Sequence, residues 1–438
     1  MKNIELYDTT LRDGAQTEGI SYSVYDKVRI ARKLDELGIH YVEGGYPLSN
    51  PKDKAFFVEL KKKPLKNARL VAFGSTRRGG VDPKADAGLK SLVASGARTA
   101  TIFGKSSDLH VCEVLQVSLD ENLEMIRDSV GFLRKKGLEV IYDAEHFFDG
   151  YKANAKFAMQ VLQAADDAGA DALVLCETNG GCLPSEVYEI TKKVCKKFKK
   201  ATVGIHTHND SDCAVANALA AVSAGATHVQ GTVNGLGERT GNANLCTIIP
   251  NLVHKMGYET IAKDKLEGLT ELSRYVFEIA NLSPVMNMPY VGESAFAHKG
   301  GLHIDALRKN KKTYEHIAPE LVGNERRFLI SELSGSSSIL AKLEKKKLVK
   351  DKAVAQKILK IVQDLENQGY QFEAAEASFD ILVKKALGTY KPSFELEKYH
   401  IDVERDTEGR IVTEATVKLR VDGVVEHVVS EGDGPVNA

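Results

Sequence analysis

LEVIYDAEHFFDGYKANAKFAMQVLQAADDAGADALVLCET, residues 138–178, contains one complete structural unit. Its first apolar run, LEVIYDAE (138–145), reads as a strand. NAKFAMQVLQAADDAG then reads as an amphipathic helix that stops at Gly, the usual helix terminator. A second apolar run, DALVLCET (171–178), follows. Strands joined through a crossover helix run parallel, because a tight hairpin could only reverse the chain.

The same unit recurs on both sides of this stretch. Strand-like runs lie at IELYDT (4–9), HYVEGGY (40–46), RLVAFG (69–74), TATIFG (99–104), TVGIHTH (202–208) and HVQGTVNG (228–235). Helix-like segments such as YDKVRIARKLDELG, DENLEMIRDSVGFLRKKG and CAVANALAAVSAG separate them. Eight strand–helix units over roughly 250 residues predict an α/β protein built on a (β/α)8 TIM barrel. A doubly wound sheet is the competing architecture, and the even spacing of eight units disfavours it. The barrel is predicted over residues 1–280. NLSPVMNMPYVG (281–292) reads as a linker, and linker and helical subdomains, with a charged helical region around 337–388, are expected over 281–390. Residues 391–438 alternate in β fashion around a turn at DTEGR.

Composition narrows the function. The 438 residues are 43% hydrophobic and carry 59 Lys+Arg against 60 Asp+Glu. With a formal net charge of −1 there is no global field to draw in nucleic acid or a membrane surface. The basic runs KKVCKKFKK (192–200) and KKK (345–347) read as solvated helix faces. The six cysteines form no CxxC and no disulfide-like framework, which fits a reducing compartment. No apolar stretch approaches a membrane span and no signal-like start is present, so a cytoplasmic location is expected.

Chemistry in such a barrel sits on the loops at the strand C-termini. Each strand exit here brings an unusual polar residue: Arg12 and Asp13 after strand 1, Glu43 on strand 2, and Asp143, Glu145 and His146 on strand 5. Thr178 follows strand 6, His206 and His208 end strand 7, and Asn234 ends strand 8. In His206-Thr207-His208 the two imidazoles share one strand face. Such a pair is often a surface coincidence, but here it closes an apolar strand and Asn209-Asp210 follow. Asp13 supplies a third ligand, and mixed imidazole and carboxylate ligation suits a divalent cation. GLGERTGN (235–242) resembles a dinucleotide fingerprint, yet it lies in the eighth unit and its Glu and Arg would crowd a phosphate. A loop that holds Asn242 near the metal accounts for it better. Glu145 reads either as a general base or as one half of a rim ion pair. His303 and Tyr314, outside the barrel, each read as structural when taken singly.

DTTLRDGAQ (8–16), GIHTHND (204–210) and GERTGNANL (237–245) together resemble the signature segments of the family containing 2-isopropylmalate, homocitrate and citramalate synthases. That family shares its TIM barrel with the hydroxymethylglutaryl-CoA lyases. The similarity runs through the barrel and on to about residue 330. YVEGGYPLSNPKD (41–53), AFGSTRR (72–78), LCETNGGCLP (175–184) and NANLCTIIPNL (242–252) look most like the citramalate branch.

The resemblance implies a divalent metal (Mn2+, Mg2+ or Zn2+) held by Asp13, His206, His208 and Asn242. It gives Arg12 the keto acid and the developing oxyanion. Glu145 and Thr178 match positions lining the keto-acid pocket, which Asp143 is expected to join. His303 and Tyr314 match a pair that serves the other subunit of a homodimer. The implied reaction is a Claisen-type condensation of acetyl-CoA with pyruvate and water, giving citramalate and CoA, a step of isoleucine biosynthesis. The strand 5 exit, YDAEHFFDG, lacks the basic residue that the isopropylmalate and homocitrate enzymes place after the glutamate, and this favours a small keto acid. Residues 391–438 look like the first part of the family's α+β regulatory domain, an incomplete copy, so isoleucine feedback is left open. Condensation with 2-oxoisovalerate, as in leucine biosynthesis, and acyl-CoA cleavage are the alternative activities. The base that deprotonates the acetyl methyl group is either Glu145 or His303 assisted by Tyr314.

Overall fold

The computed structural model describes residues 3–329, 339–340, 343, 352–372, 375–405 and 407–438. These fall into two compact units, Met1–Ala297 with Tyr314–Arg327, and His298–Thr313 with Phe328–Ala438.

In the first unit eight parallel strands close into a barrel in chain order. They are β1 Glu5–Asp8, β2 Tyr41–Glu43, β3 Arg69–Ser75, β4 Thr99–Lys105, β5 Glu139–Glu145, β6 Ala172–Glu177, β7 Thr202–Thr207 and β8 His228–Gly231. Closure is made by β8 pairing with β1, from Glu5 opposite His228 to Asp8 opposite Gly231. The crossover helices begin where the chain offers caps. Ser23 accepts from the backbone N–H of Asp26 and heads α1 (Val24–Leu37) in a capping box. Asn50 caps α2 (Pro51–Lys62), whose first residue is the favoured proline. Gly38 ends α1 in the left-handed region at φ 96°, a conformation that glycine adopts without strain.

The faces of the strands divide the core. Outward-facing residues and helix stripes make the main apolar layer, in which Phe56, Phe57, Phe147 and Phe148 are fully shielded. Each such ring contributes about 1.5–3 kcal/mol of transfer free energy. Inside the barrel a smaller apolar group, Tyr7, Tyr41, Val71, Ile141, Ala172, Val174 and Cys176, shares the lumen with buried polar side chains.

The strand positions match the periodic reading except at two ends. β1 stops at Asp8, four residues before Arg12. The Asp8 carboxylate accepts from the backbone N–H of Thr10 at 2.9 Å and from its hydroxyl at 2.8 Å, and this turns the chain. Arg12 and Asp13 therefore sit on a turn rather than at the strand exit, and strand alternation does not set their directions. β8 ends at Gly231, where a Cβ would lie 2.5 Å from the carbonyl oxygen of Ala243. The loop after the strand crosses at that point, and Val233–Gly235 forms a 3-10 turn instead of continuing the strand. NLSPVMNMPYVG, expected as a linker, is packed: Met288, Tyr290 and Val291 belong to the barrel's main core.

In the second unit, helices Lys352–Glu366 and Glu376–Ala386 bring Ile358, Val362, Phe379 and Val383 into a separate apolar cluster. Of the charged helical region expected over 337–388, residues 337–338, 341–342, 344–351 and 373–374 lie outside the described residues. The KKK run at 345–347 lies outside them too. The β-patterned C-terminal stretch forms a three-stranded antiparallel sheet, Glu395–Arg405, Ile411–Val421 and Val424–Gly432. Among the described residues no helix is long and apolar enough to cross a membrane.

Candidate metal centre and substrate cavity

A cavity of about 550 Å³ opens at the C-terminal mouth of the barrel. Arg12, Asp13, Asp143, Glu145, Thr178, His206 and His208 all line it. The turn after β1 delivers Asp13, whose backbone N–H donates to the Thr9 hydroxyl at 3.3 Å. β7 delivers the two histidines on one face. The Nε2 atoms of His206 and His208 lie 3.3 Å apart, and Asp13 Oδ2 is 3.4 Å from His206 Nε2. Among the described residues, Asp13, His206 and His208 form the one group of three such donors close enough to hold a metal ion.

The electrostatics suit a cation. Burial alone would push the Asp13 carboxyl up, but the Arg12 guanidinium and the two imidazoles hold it well below the usual carboxylate range. Burial works against a charged His206, yet the Asp13 carboxylate beside it outweighs this and makes the ring more basic. His208 goes the other way: burial and the neighbouring His206 lower it to about 4, so it is a neutral ligand at ordinary pH.

Asn242 is buried behind His208, with which its backbone forms an isolated antiparallel bridge. Its Nδ2 donates to the carbonyl of Leu236 at 3.2 Å, while its Oδ1 is buried with no hydrogen-bond partner among the described residues. A hard carbonyl donor left over beside His208 fits a fourth ligand. The glycine loop exists to seat this side chain, since a Cβ on Gly237 would stand 2.2 Å from Asn242 Nδ2.

Arg12 is held from three sides. Its Nε donates to Glu43 Oε1, its Nη1 lies 3.4 Å from Asp13 Oδ2, and its guanidinium carbon sits 3.8 Å from the centroid of the Phe73 ring. Burial disfavours the guanidinium charge, but the Glu43 and Asp13 carboxylates raise its pKa further still. Glu43 is itself fully buried and accepts from the Tyr7 and Thr9 hydroxyls. The Arg12–Asp13 pair is thus a buried pair at a cavity wall and not a surface ion pair.

Glu145 ends β5 and is ion-paired with Lys105, its register partner on β4. A cation does face this glutamate, supplied by the neighbouring strand. Thr178 Oγ1 accepts from the backbone N–H of His146 at 2.8 Å, and its carbonyl accepts from Arg239 at 2.8 Å. Asp143 is buried and pushed up to about 7, chiefly by desolvation. Asn234 is not a rim group: its side chain bonds to Ser273 behind the barrel wall. Tyr314 belongs to the barrel unit without lining the cavity, and His303 is exposed on helix Gly301–Lys309 of the second unit.

Sequence reasoning missed the groups that support the site. Glu43 was visible only as a polar strand residue, and Gln230, Phe73 and Phe103 not at all as site residues. Phe73 and Phe103 stack at 5.6 Å with an interplanar angle of 19° and close one side of the cavity. The signal for Gln230 and Glu43 was an uncharged amide and a carboxylate within otherwise apolar barrel strands, where each must find a partner.

The HMGL-like family model matches residues 3–276, a homocitrate synthase post-HMGL domain-like model matches 290–370, and a LeuA allosteric (dimerisation) domain model matches 373–438. The chain belongs to the HMGL-like family, whose enzymes are metal-dependent. Within the family it belongs with the citramalate synthases. It is 55% identical to the (R)-citramalate synthase of Geobacter sulfurreducens and 54% to that of Aquifex aeolicus, each over 100% of this chain and 83% of the relative. A 2-isopropylmalate synthase of Sulfolobus acidocaldarius is more distant, at 34% over 86% of this chain and 94% of that protein. The crystal structure of the Bacillus subtilis HMG-CoA lyase shares the barrel fold, with a TM-score of 0.56 at 22% identity over 66% of this chain and 97% of that one.

Proposed function

We propose that the mouth cavity condenses acetyl-CoA with pyruvate and water to give citramalate and CoA. The observation that carries this reading is Asp13, His206 and His208 gathered in one cavity with Arg12 fixed beside them. A divalent cation there, Mn2+, Mg2+ or Zn2+, supplies Lewis-acid polarisation of the keto group when bound. Asp13, His206 and His208 would hold it, with Asn242 completing the set.

The chain's own residues do the rest. Arg12 directs charge-assisted donors at the keto oxygen as it becomes an alkoxide. Glu43 and the Phe73 ring keep the guanidinium in that orientation, so no reorganisation is needed during reaction. Thr178 presents its hydroxyl to the pyruvate end of the cavity. The acetyl methyl proton goes to Glu145 or to His303 assisted by Tyr314, and the resulting enolate attacks the keto carbon. Hydrolysis of the thioester then releases CoA. His303 and Tyr314 are proposed to serve the second subunit of a homodimer, and the LeuA dimerisation domain match supports that oligomer. Six free thiols agree with a reducing compartment, and the cytoplasm is the proposed location.

The stacked Phe73 and Phe103 support a small keto acid, since they occupy space that a branched chain needs. Thiol release measured with acetyl-CoA and a panel of keto acids tests the reading. Pyruvate should be preferred over 2-oxoisovalerate. Phe103→Ala should shift the kcat/KM ratio toward 2-oxoisovalerate by about tenfold, the scale of one or two methylene groups in an apolar pocket. A preference for 2-oxoisovalerate in the unaltered protein would make it an isopropylmalate synthase, and no thiol release with any keto acid would favour a lyase.

A further inference from the structure

We propose that Gln230 is a positioning residue which, held by Asp143, decides which nitrogen of His206 faces the metal site. Gln230 lies on β8 inside the barrel and is fully buried. Its Nε2 donates to Asp143 Oδ1 at 3.0 Å, and its Oε1 lies 2.9 Å from His206 Nδ1. The two ends of a primary amide are chemically opposite, one a donor and the other an acceptor. A carboxylate only accepts, so Asp143 turns the NH2 end toward itself and the carbonyl end toward His206. An imidazole nitrogen that faces a carbonyl oxygen must carry the proton. The lone pair is therefore left on Nε2, the atom that lies 3.4 Å from Asp13 and 3.3 Å from His208.

The neighbouring histidine provides the contrast. His208 Nδ1 is buried and has no hydrogen-bond partner among the described residues, so nothing equivalent selects its tautomer. The inference moves Asp143 from a substrate contact to a support beneath a ligand, and it rests on the metal reading of Asp13, His206 and His208. Buried partners of this kind typically alter metal affinity by about 10- to 100-fold.

The test is Mn2+ binding by titration calorimetry to the chelator-treated full chain, above the value of about 7 near which Asp143 titrates. Gln230→Met keeps the volume but removes the acceptor, and should weaken Mn2+ binding by about 10- to 100-fold with an unchanged far-ultraviolet CD spectrum. Gln230→Glu, which still offers an acceptor to Nδ1, should restore most of the affinity. In 15N-histidine NMR of the metal-free protein, His206 should be the Nδ1–H tautomer. Wild-type affinity in Gln230→Met, or an Nε2–H tautomer in the unaltered protein, overturns the proposal. The NMR measurement decides the matter if Gln230→Met does not fold. His206→Ala separates the two levels: if it binds Mn2+ as tightly as the unaltered protein, the metal reading itself is wrong.

Discussion

Both ends of the barrel bury charged side chains, and they dispose of the charge differently. At the N-terminal end, Glu139 accepts from Tyr41 at 2.9 Å, from Arg69 at 2.9 Å and from Thr99 at 2.7 Å. His228 is packed between the rings of Tyr7 and Tyr41 at 5.5 and 5.4 Å, with Glu5 Oε2 3.7 Å from its Nδ1. At the C-terminal end a single oxygen, Asp13 Oδ2, is shared between Arg12 and His206 at 3.4 Å each. Asn242 Oδ1 and His208 Nδ1 there have no hydrogen-bond partner among the described residues. Dedicated partners consume the coordinating capacity of Glu139, whereas the stretched, shared contacts of Asp13 leave capacity for a ligand. This is the division of labour expected of the fold, with stability at one face and chemistry at the other.

The comparison breaks if the two ends respond alike to substitution. Asp13→Ala should produce the largest effect, a loss of thiol release of about a thousandfold or more, because the missing ligand forfeits several kcal/mol of transition-state stabilisation. Its thermal stability should change little, and full activity with saturating metal would remove Asp13 from the centre. Arg12→Lys keeps the charge but loses the planar fork that spans Glu43 and the cavity, and kcat should fall by about 10²–10³-fold. Steady-state kinetics with pyruvate would check this.

At the opposite end the expected sign is reversed, with activity kept and stability lost. Glu139→Gln should lower stability by about 1–2 kcal/mol, since it weakens the hydrogen bonds of three neighbours, while Arg69 is exposed enough for its ion pair to count for little. Denaturant unfolding measures the loss, and kcat should stay within about twofold of the unaltered protein. The smallest effect concerns Glu5, whose pKa is lowered in the fold, first by its hydrogen bond to His228 and in spite of burial. A depressed carboxyl contributes stability that is present above its ordinary value of 4.5 and is lost as pH falls through the folded value. Unfolding followed from neutral pH to below about 4 should show the gap between Glu5→Gln and the unaltered protein closing in that window. A gap that stays constant with pH would show that the carboxylate charge of Glu5 is not what stabilises this end.

Much of this was legible without coordinates. The strand alternation and the helix stops were enough for the barrel, because both are short-range properties of the backbone. His206 and His208 were legible for the same reason, as period-two neighbours on one strand. Arg12 and Asp13 were found for an incomplete reason: a carboxylate-capped turn at Asp8, not the strand, carries them to the mouth. Asn234 was misread because β8 was extended past the point where the Ala243 backbone crosses it. The 281–292 stretch was misread because prolines suggest a linker when burial is unknown.

By itself, then, the sequence determined the class of fold, the direction of each strand and the residues able to bind a cation, since those follow from local periodicity and residue chemistry. Only the tertiary structure decided which buried groups meet. Gln230 reaches Asp143 across 87 residues and His206 across 24, and Arg12 reaches Glu43 across 31. Those contacts depend on the stagger with which the barrel closes, and no local pattern in the chain encodes that distance.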